Sequence, residues 1–430
     1  MSQAKQPSMA KDSLPDSFML TGGTVIAHDD LRLLSPGYVV VQNGVIREVG
    51  EGRLPEGLPS IDLAGRLVSP GMINCHTHIE DAALKELAFG VSPGVNVLFE
   101  PDGLRHVRMR ALPDAVLTSA MRRSAEQMLA SGIVACADYR TGGAKGSVVL
   151  RDACNGLPLR CLIFGGHSAF PLQSETDLMA NRTGLSAAQI RDVAETVEAA
   201  DGFGVVWVND TTDVGLRQIE QVVHGAGKRL STHSAASRDY RRVSLERTRW
   251  SDVQRAVKFL HPDYVVHMTF AHRAEIRQIT RAGIPIVMCP RSMASLGRPN
   301  PPYSAALDEG AIVGLGTDNV MLSSPDLLAE LHYLSRATRS SMSDPGAIDA
   351  RELLAAVTID AAKVLDIAVE LGSISPGKSA SVVIFDTASP NLSWSLNPIA
   401  SLVDRATSAD IEAVIVDGRL VHGSLPVPAG

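Results

Sequence analysis

Met72-Ile73-Asn74-Cys75-His76-Thr77-His78 is a short apolar run ending in two histidines one residue apart, and it is the first of a series. Seven more runs of this kind follow it: Ile133–Tyr139, Cys161–His167, Phe203–Asp210, Arg229–His233, Tyr264–Met268, Pro285–Pro290 and Ile312–Asp318. Each is aliphatic or β-branched, closes on small or polar residues, and is followed by a stretch of helical character. Short, continuously apolar runs alternating with helices predict parallel strands buried on both faces. Eight is the number that closes a (β/α)₈ TIM barrel. The intervening stretches agree. Pro113–Ser131 sets Leu117, Met121 and Met128 along one helical face, with Gly132 as the stop. Ser186 with Gln189 reads as a capping box. Ser324-Pro325 is expected to open a helix, with proline at its first position.

Outside the series the texture changes. Thr24–Ile26, Gly37–Gln42 and Val45–Val49 are strand-like, and Asn43-Gly44 between the last two is a hairpin signal. Ser381–Asp386, Ala413–Asp417 and Leu420–Val421 repeat that texture near the C-terminus. The expectation is a small composite β-sandwich built from residues 18–67 and 372–430, a barrel over 68–371, and a mobile tail over 1–17.

The 430 residues are 45% hydrophobic and 20% charged, a globular composition, and the formal net charge of −7 argues against general affinity for nucleic acid or anionic membrane. No uncharged run nears the roughly 20 residues that span a bilayer, and the N-terminal residues lack the apolar core of a signal peptide. The chain therefore reads as cytoplasmic. Its five cysteines, Cys75, Cys136, Cys154, Cys161 and Cys289, have no zinc-knuckle or redox spacing and read as reduced thiols.

Barrel enzymes react at the C-terminal ends of their strands. The eight runs end on His76 and His78, Asp138, His167, Asp210, His233, His267, the turn Cys289-Pro290-Arg291-Ser292, and Asp318. Metal-binding and proton-transferring side chains thus gather at one edge. On a strand, residues two apart face the same side, so His76 and His78 can reach one ion.

The first run is preceded by Val68-Ser69-Pro70-Gly71, and this passage resembles the amidohydrolase superfamily, which opens its barrel with an apolar-Pro-Gly-apolar segment leading into His-x-His. The resemblance spans about residues 20 to 422. It recurs at Ser231-Thr232-His233, Val265-Val266-His267, Gly314-Leu315-Gly316-Thr317-Asp318, Gly372–Lys378 and Ile415-Val416-Asp417-Gly418, and is closest to the cytosine deaminase and chlorohydrolase-like branch. It implies that His76, His78, His233 and Asp318 hold a divalent metal, that Asp318 also takes the proton of the attacking water, and that His267 stabilises the transition state. Zinc suits those ligands best, and iron or manganese would also fit. Two-metal members bridge their ions with a modified lysine at the fourth strand. Phe203–Asp210 contains none, so a single ion is expected. Members often form dimers or larger assemblies, which makes a homo-oligomer the corresponding expectation here.

One position departs from the pattern. Heterocycle deaminases of this branch carry His-x-x-Glu at the fifth strand, whereas here His233-Ser234-Ala235-Ala236 puts alanine where the proton-transferring glutamate would stand. Glu80, Asp138, His167, Asp210 and Arg291 are the candidates for substrate contact or for the missing proton transfer. Three readings follow. The first is hydrolysis of an amide, cyclic amide or amidine in a small or peptide-like substrate. The second is deamination or dechlorination of a nitrogen heterocycle. The third is a metal-binding protein without turnover.

Overall fold

The computed structural model describes residues 14–52, 55, 57–91, 98–99, 103–168 and 171–427. The barrel strands are β1 (Met72–His78), β2 (Ile133–Arg140), β3 (Arg160–Gly165), β4 (Gly202–Trp207), β5 (Arg229–Ser234), β6 (Tyr264–His267), β7 (Ile286–Met288) and β8, which is split into Val313–Leu315 and Asp318–Asn319. Every neighbouring pair is parallel. The ring closes where the second piece of β8 pairs with β1, Asp318 opposite Thr77.

The split in β8 has a steric cause. At Gly316 a Cβ would stand 2.7 Å from the His76 carbonyl oxygen and 2.8 Å from the His76 Cβ, so the chain passes β1 too closely for any side chain. Asn74 then ties the strands together, its Nδ2 donating to Thr317 Oγ1 at 2.8 Å and its Oδ1 accepting from the Thr317 amide at 3.0 Å. Gly316→Ala should push β1 and β8 apart at the site, costing on the order of 1–3 kcal/mol as overpacked cores do. Thermal melting and zinc content of the variant would both fall, and an unshifted melt would show that the contact is slack.

Helices lie between the strands as expected, including Asp114–Ala130 and Ala187–Ala199, the latter with a complete Ser186/Gln189 capping box. One start differs. The helix after β8 is Leu327–Met342, capped by Asp326, whose side chain accepts from the Ala329 amide, so Ser324-Pro325 lies in the turn before it. An aspartate that can reach an N3 amide defines the cap more strongly than a proline that only tolerates the first turn.

The terminal segments form one mixed sheet in the order Arg419–Gly423, Ile411–Val416, Val382–Asp386, Arg66–Pro70, Ser17–Ala27, Arg32–Gln42 and Val45–Glu51, with Ser60–Asp62 beside Ser17–Ala27. Its strands alternate faces with period two. Val382, Ile384, Ala413 and Ile415 enter the sheet's own apolar core, whereas Val383, Phe385, Val414 and Val416 pack into the barrel's core. Asn43 and Gly44 turn the hairpin with φ of 50° and 75°. Of the expected tail 1–17, residues 1–13 lie outside the described residues, Leu14 packs against the sheet core, and Ser17 already begins a strand. No helix among the described residues is long and apolar enough to cross a membrane.

Candidate active site

At the C-terminal edge of the barrel, β1, β5, β6 and β8 bring their last polar residues to one point. His76 Nε2 lies 3.2 Å from His233 Nε2 and 3.3 Å from Asp318 Oδ1, and His78 Nε2 lies 3.5 Å from the same oxygen. Ligand atoms of His76, His78 and His233 all fall within 4.8 Å of one another, as do those of His76, His267 and Asp318. Atoms bound tetrahedrally at about 2.0–2.1 Å from zinc stand roughly 3.3 Å apart, so the spacing already suits an ion.

Protonation suits it as well. His78 Nδ1 is 2.9 Å from the Tyr139 carbonyl and His233 Nδ1 is 2.8 Å from the Val206 carbonyl. A carbonyl only accepts, so both rings carry hydrogen on Nδ1 and turn the Nε2 lone pair inward, which is how ligating histidines are oriented. Burial, reinforced by the neighbouring His76, lowers the His233 imidazole to about 3, and the same causes hold His78 well below its ordinary value. Burial also depresses His267. These rings are neutral and available to a cation. Burial would raise the Asp318 carboxyl, but the hydrogen bond to His76 and the adjacent imidazoles prevail and keep it well below the usual carboxylate range. Ser292 Oγ donates to Asp318 Oδ2 and leaves Oδ1 toward the histidines.

The backbone is bent to make this possible. Ala235, His267, Met268 and Asp318 all have positive φ, between 48° and 81°. L-residues adopt that region at a cost of order 1–3 kcal/mol each, and such positions cluster at functional sites. Here they turn the chain sharply out of β5, β6 and β8 as it leaves the barrel.

Above the cluster opens a cavity of about 260 Å³, lined by His78, His233, His267 and Asp318 together with Trp207, His167 and Arg298. Met109, Val206, Met293 and Leu296 make much of the wall apolar. Of the other expected contact residues, His167 faces this cavity, lying two residues beyond the end of β3; burial lowers it to about 4. Asp138 lies beneath the site. Its Oδ2 accepts the Ile79 amide at 2.8 Å, and burial raises the carboxyl to about 7. Glu80 is enclosed in an ion network with Arg105 and Arg140. Asp210 sits in a short 3₁₀ turn after β4, which ends at Trp207 rather than running on to 210. Arg291 turns away to Glu330, at 3.4 Å, and to the carbonyls of Ser324 and Asp326.

Ser292, from the turn expected at the end of the seventh strand, is the partner of Asp318, and two neighbours of the site escaped the sequence reading: Trp207, whose ring is 5.1 Å from that of His233, and Arg298. Trp207 ends a strand, and the strand-end rule would have found it had it been applied to aromatic as well as titratable residues. Arg298 sits in the loop Gly297-Arg298-Pro299, where no periodicity marks it.

The sequence model of the amidohydrolase family matches residues 67–421, the whole barrel and the closing strands. The chain belongs to the amidohydrolase family. It is a hydrolase acting on carbon–nitrogen bonds other than peptide bonds. A candidate aminohydrolase of Methanothermobacter thermautotrophicus is 31% identical over 386 residues, covering 89% of this chain and 94% of the relative. A 5-methylthioadenosine/S-adenosylhomocysteine deaminase of Pelotomaculum thermopropionicum is 26% identical over 424 residues, covering 94% and 93%. The solved atrazine chlorohydrolase TrzN of Arthrobacter aurescens TC1, a zinc complex, shares the fold with a TM-score of 0.81 at 19% identity, covering 96% of each chain. In this amidohydrolase the donor set, three imidazoles and a carboxylate at ligand spacing, fits a divalent cation such as zinc.

Proposed function

We propose that this amidohydrolase holds one zinc ion through His76, His78, His233 and Asp318 and hydrolyses an amide, cyclic amide or amidine bond of a compact small molecule. The observation that carries the reading is the convergence of those four side chains beside a cavity of about 260 Å³. A single ion is supported at β4, where the bulky Trp207 ends the strand and no lysine is present to bridge a second.

A divalent ion in that site supplies a Lewis acid that brings the pKa of water to about 7. The residues do the rest. Asp318 is the one carboxylate among the described residues that line the cavity, so it receives the proton of the attacking water and passes it to the departing nitrogen. His267, its ring 5.0 Å from that of His233, is placed to hydrogen-bond the oxygen that gains charge at the carbonyl or amidine carbon. Val206, Trp207 and Leu296 hold the apolar part of the substrate and exclude bulk water.

His267→Ala should lower kcat by roughly 10²–10³-fold, the loss typical of removing one transition-state hydrogen bond, with zinc content unchanged at one ion per chain. Loss of zinc in that variant would make His267 a ligand. A second reading, deamination or dechlorination of a nitrogen heterocycle, is favoured by the curated deaminase relatives and opposed by Ala236. Turnover of an amide and amidine panel by zinc-loaded protein, with no ammonia or chloride released from purines, pterins and triazines, supports the first reading. Release from the heterocycles supports the second. No turnover on either panel would leave a metal-binding protein.

A further inference from the structure

We infer that Arg298 is a substrate-binding residue and that the substrate carries a carboxylate, or a comparable delocalised anion, next to its apolar part. The inference deepens the hydrolase reading and rests on it for the identity of the pocket.

Arg298 Nη1 donates to the backbone carbonyl of Ala236 at 2.7 Å, which fixes the guanidinium beside the segment after β5. It also approaches Met293 Sδ at 3.8 Å and lines the cavity with His233, His267 and Asp318. Among the described residues no carboxylate pairs with it.

Arg105 and Arg110 also line the cavity. Arg105 is spent on Glu80 and Asp81. In the helix Arg238–Thr248, Arg241 pairs with Glu275, Arg242 with Glu246, and Arg247 with Glu175. Three of that helix's four arginines are thus held in ion pairs, and the fourth, Arg238, lies over the Phe270 ring at 5.7 Å.

A half-buried guanidinium that makes no salt bridge among the described residues keeps part of its desolvation cost unrepaid. The charge balance makes it costlier still. A divalent ion among three neutral imidazoles and Asp318 leaves one net positive charge beside the Arg298 cation. An anionic substrate group relieves both, and arginine's planar fork matches a carboxylate in two parallel hydrogen bonds. Among the described residues the hydrogen bonds of the guanidinium fall on Nη1, which leaves its other nitrogens to an anion. The apolar wall of Val206, Trp207, Met293 and Leu296 specifies what the carboxylate is attached to, a flat or short apolar body.

Benzoate, with benzyl alcohol as its neutral counterpart, is the probe. Calorimetric titration of zinc-loaded wild type, Arg298→Gln and Arg298→Lys should show benzoate at least tenfold weaker in R298Q. R298K should fall between the two, and benzyl alcohol should bind all three alike. Benzoate affinity in R298Q within twofold of wild type would overturn the inference, because any remaining affinity would then belong to the metal. Zinc binding by the wild type is titrated separately. Arg298-dependent benzoate binding in a protein that takes no zinc would sink the hydrolase reading and leave the anion seat standing.

Discussion

Asp318→Asn is expected to reduce kcat/KM by about 10³-fold or more while leaving the fold intact. Two functions meet on this carboxylate. Oδ1 lies 3.3 Å from His76 Nε2 and 3.5 Å from His78 Nε2, and in the proposed mechanism the carboxylate is both a ligand and the base for the attacking water. Asparagine keeps the shape and can still accept the Ser292 hydroxyl, so packing is conserved. It loses the negative charge that offsets a dication, and it cannot take a proton near neutral pH. General-base catalysis by itself contributes roughly 10²–10⁴-fold, and weakened ligation adds to that. Circular dichroism and melting should match the wild type. Zinc content then divides the loss: a variant that keeps its ion but not its rate isolates proton transfer, and one that loses the ion isolates ligation. A D318N enzyme with the wild-type rate would remove Asp318 from the mechanism.

The barrel could be read from the sequence because its strands are buried on both faces and so stand out as apolar runs against polar, periodic helices. β1 was legible to the residue, Met72–His78, since Gly71 and the following 3₁₀ turn bound it sharply. The ends of β3 and β4 were not. His167 and Asp210 lie only two and three residues past the strand ends Gly165 and Trp207, so the apolar run carries the reading past the last ladder hydrogen bonds into the loops. The clustered histidines and Asp318 were legible because strand ends place them and a short motif marks each. Arg298 was not, because it reaches the site from the segment after β7, whose course depends on packing against other loops. Glu80 was misleading in a more instructive way. It directly follows the His-x-His segment and Ile79, and its type suits a proton carrier, but sequence cannot show that two arginines from elsewhere in the chain close on it.

That network sets the second large effect. Glu80 is fully buried and accepts from Arg105 Nη2 at 2.5 Å, from Arg140 Nη1, and from Thr141 Oγ1 at 3.0 Å; Asp81 holds Arg105 Nε at 2.8 Å. Two guanidiniums and two carboxylates thus balance out of reach of water. Glu80→Gln removes one negative charge without opening a cavity, and Arg140 is left with no carboxylate among the described residues. Breaking a buried ion pair from one side costs about 3–5 kcal/mol, because the remaining charge stays desolvated. A large drop in the denaturation midpoint should follow, with any remaining folded enzyme keeping most of its kcat. The pairing of cause and effect can be tested by a cycle. Adding Arg140→Met to Glu80→Gln removes the stranded cation and should recover part of the loss, since coupled neighbours are not additive. A Glu80→Gln protein that melts like the wild type but turns over a hundredfold more slowly would reverse the assignment and return Glu80 to the chemistry.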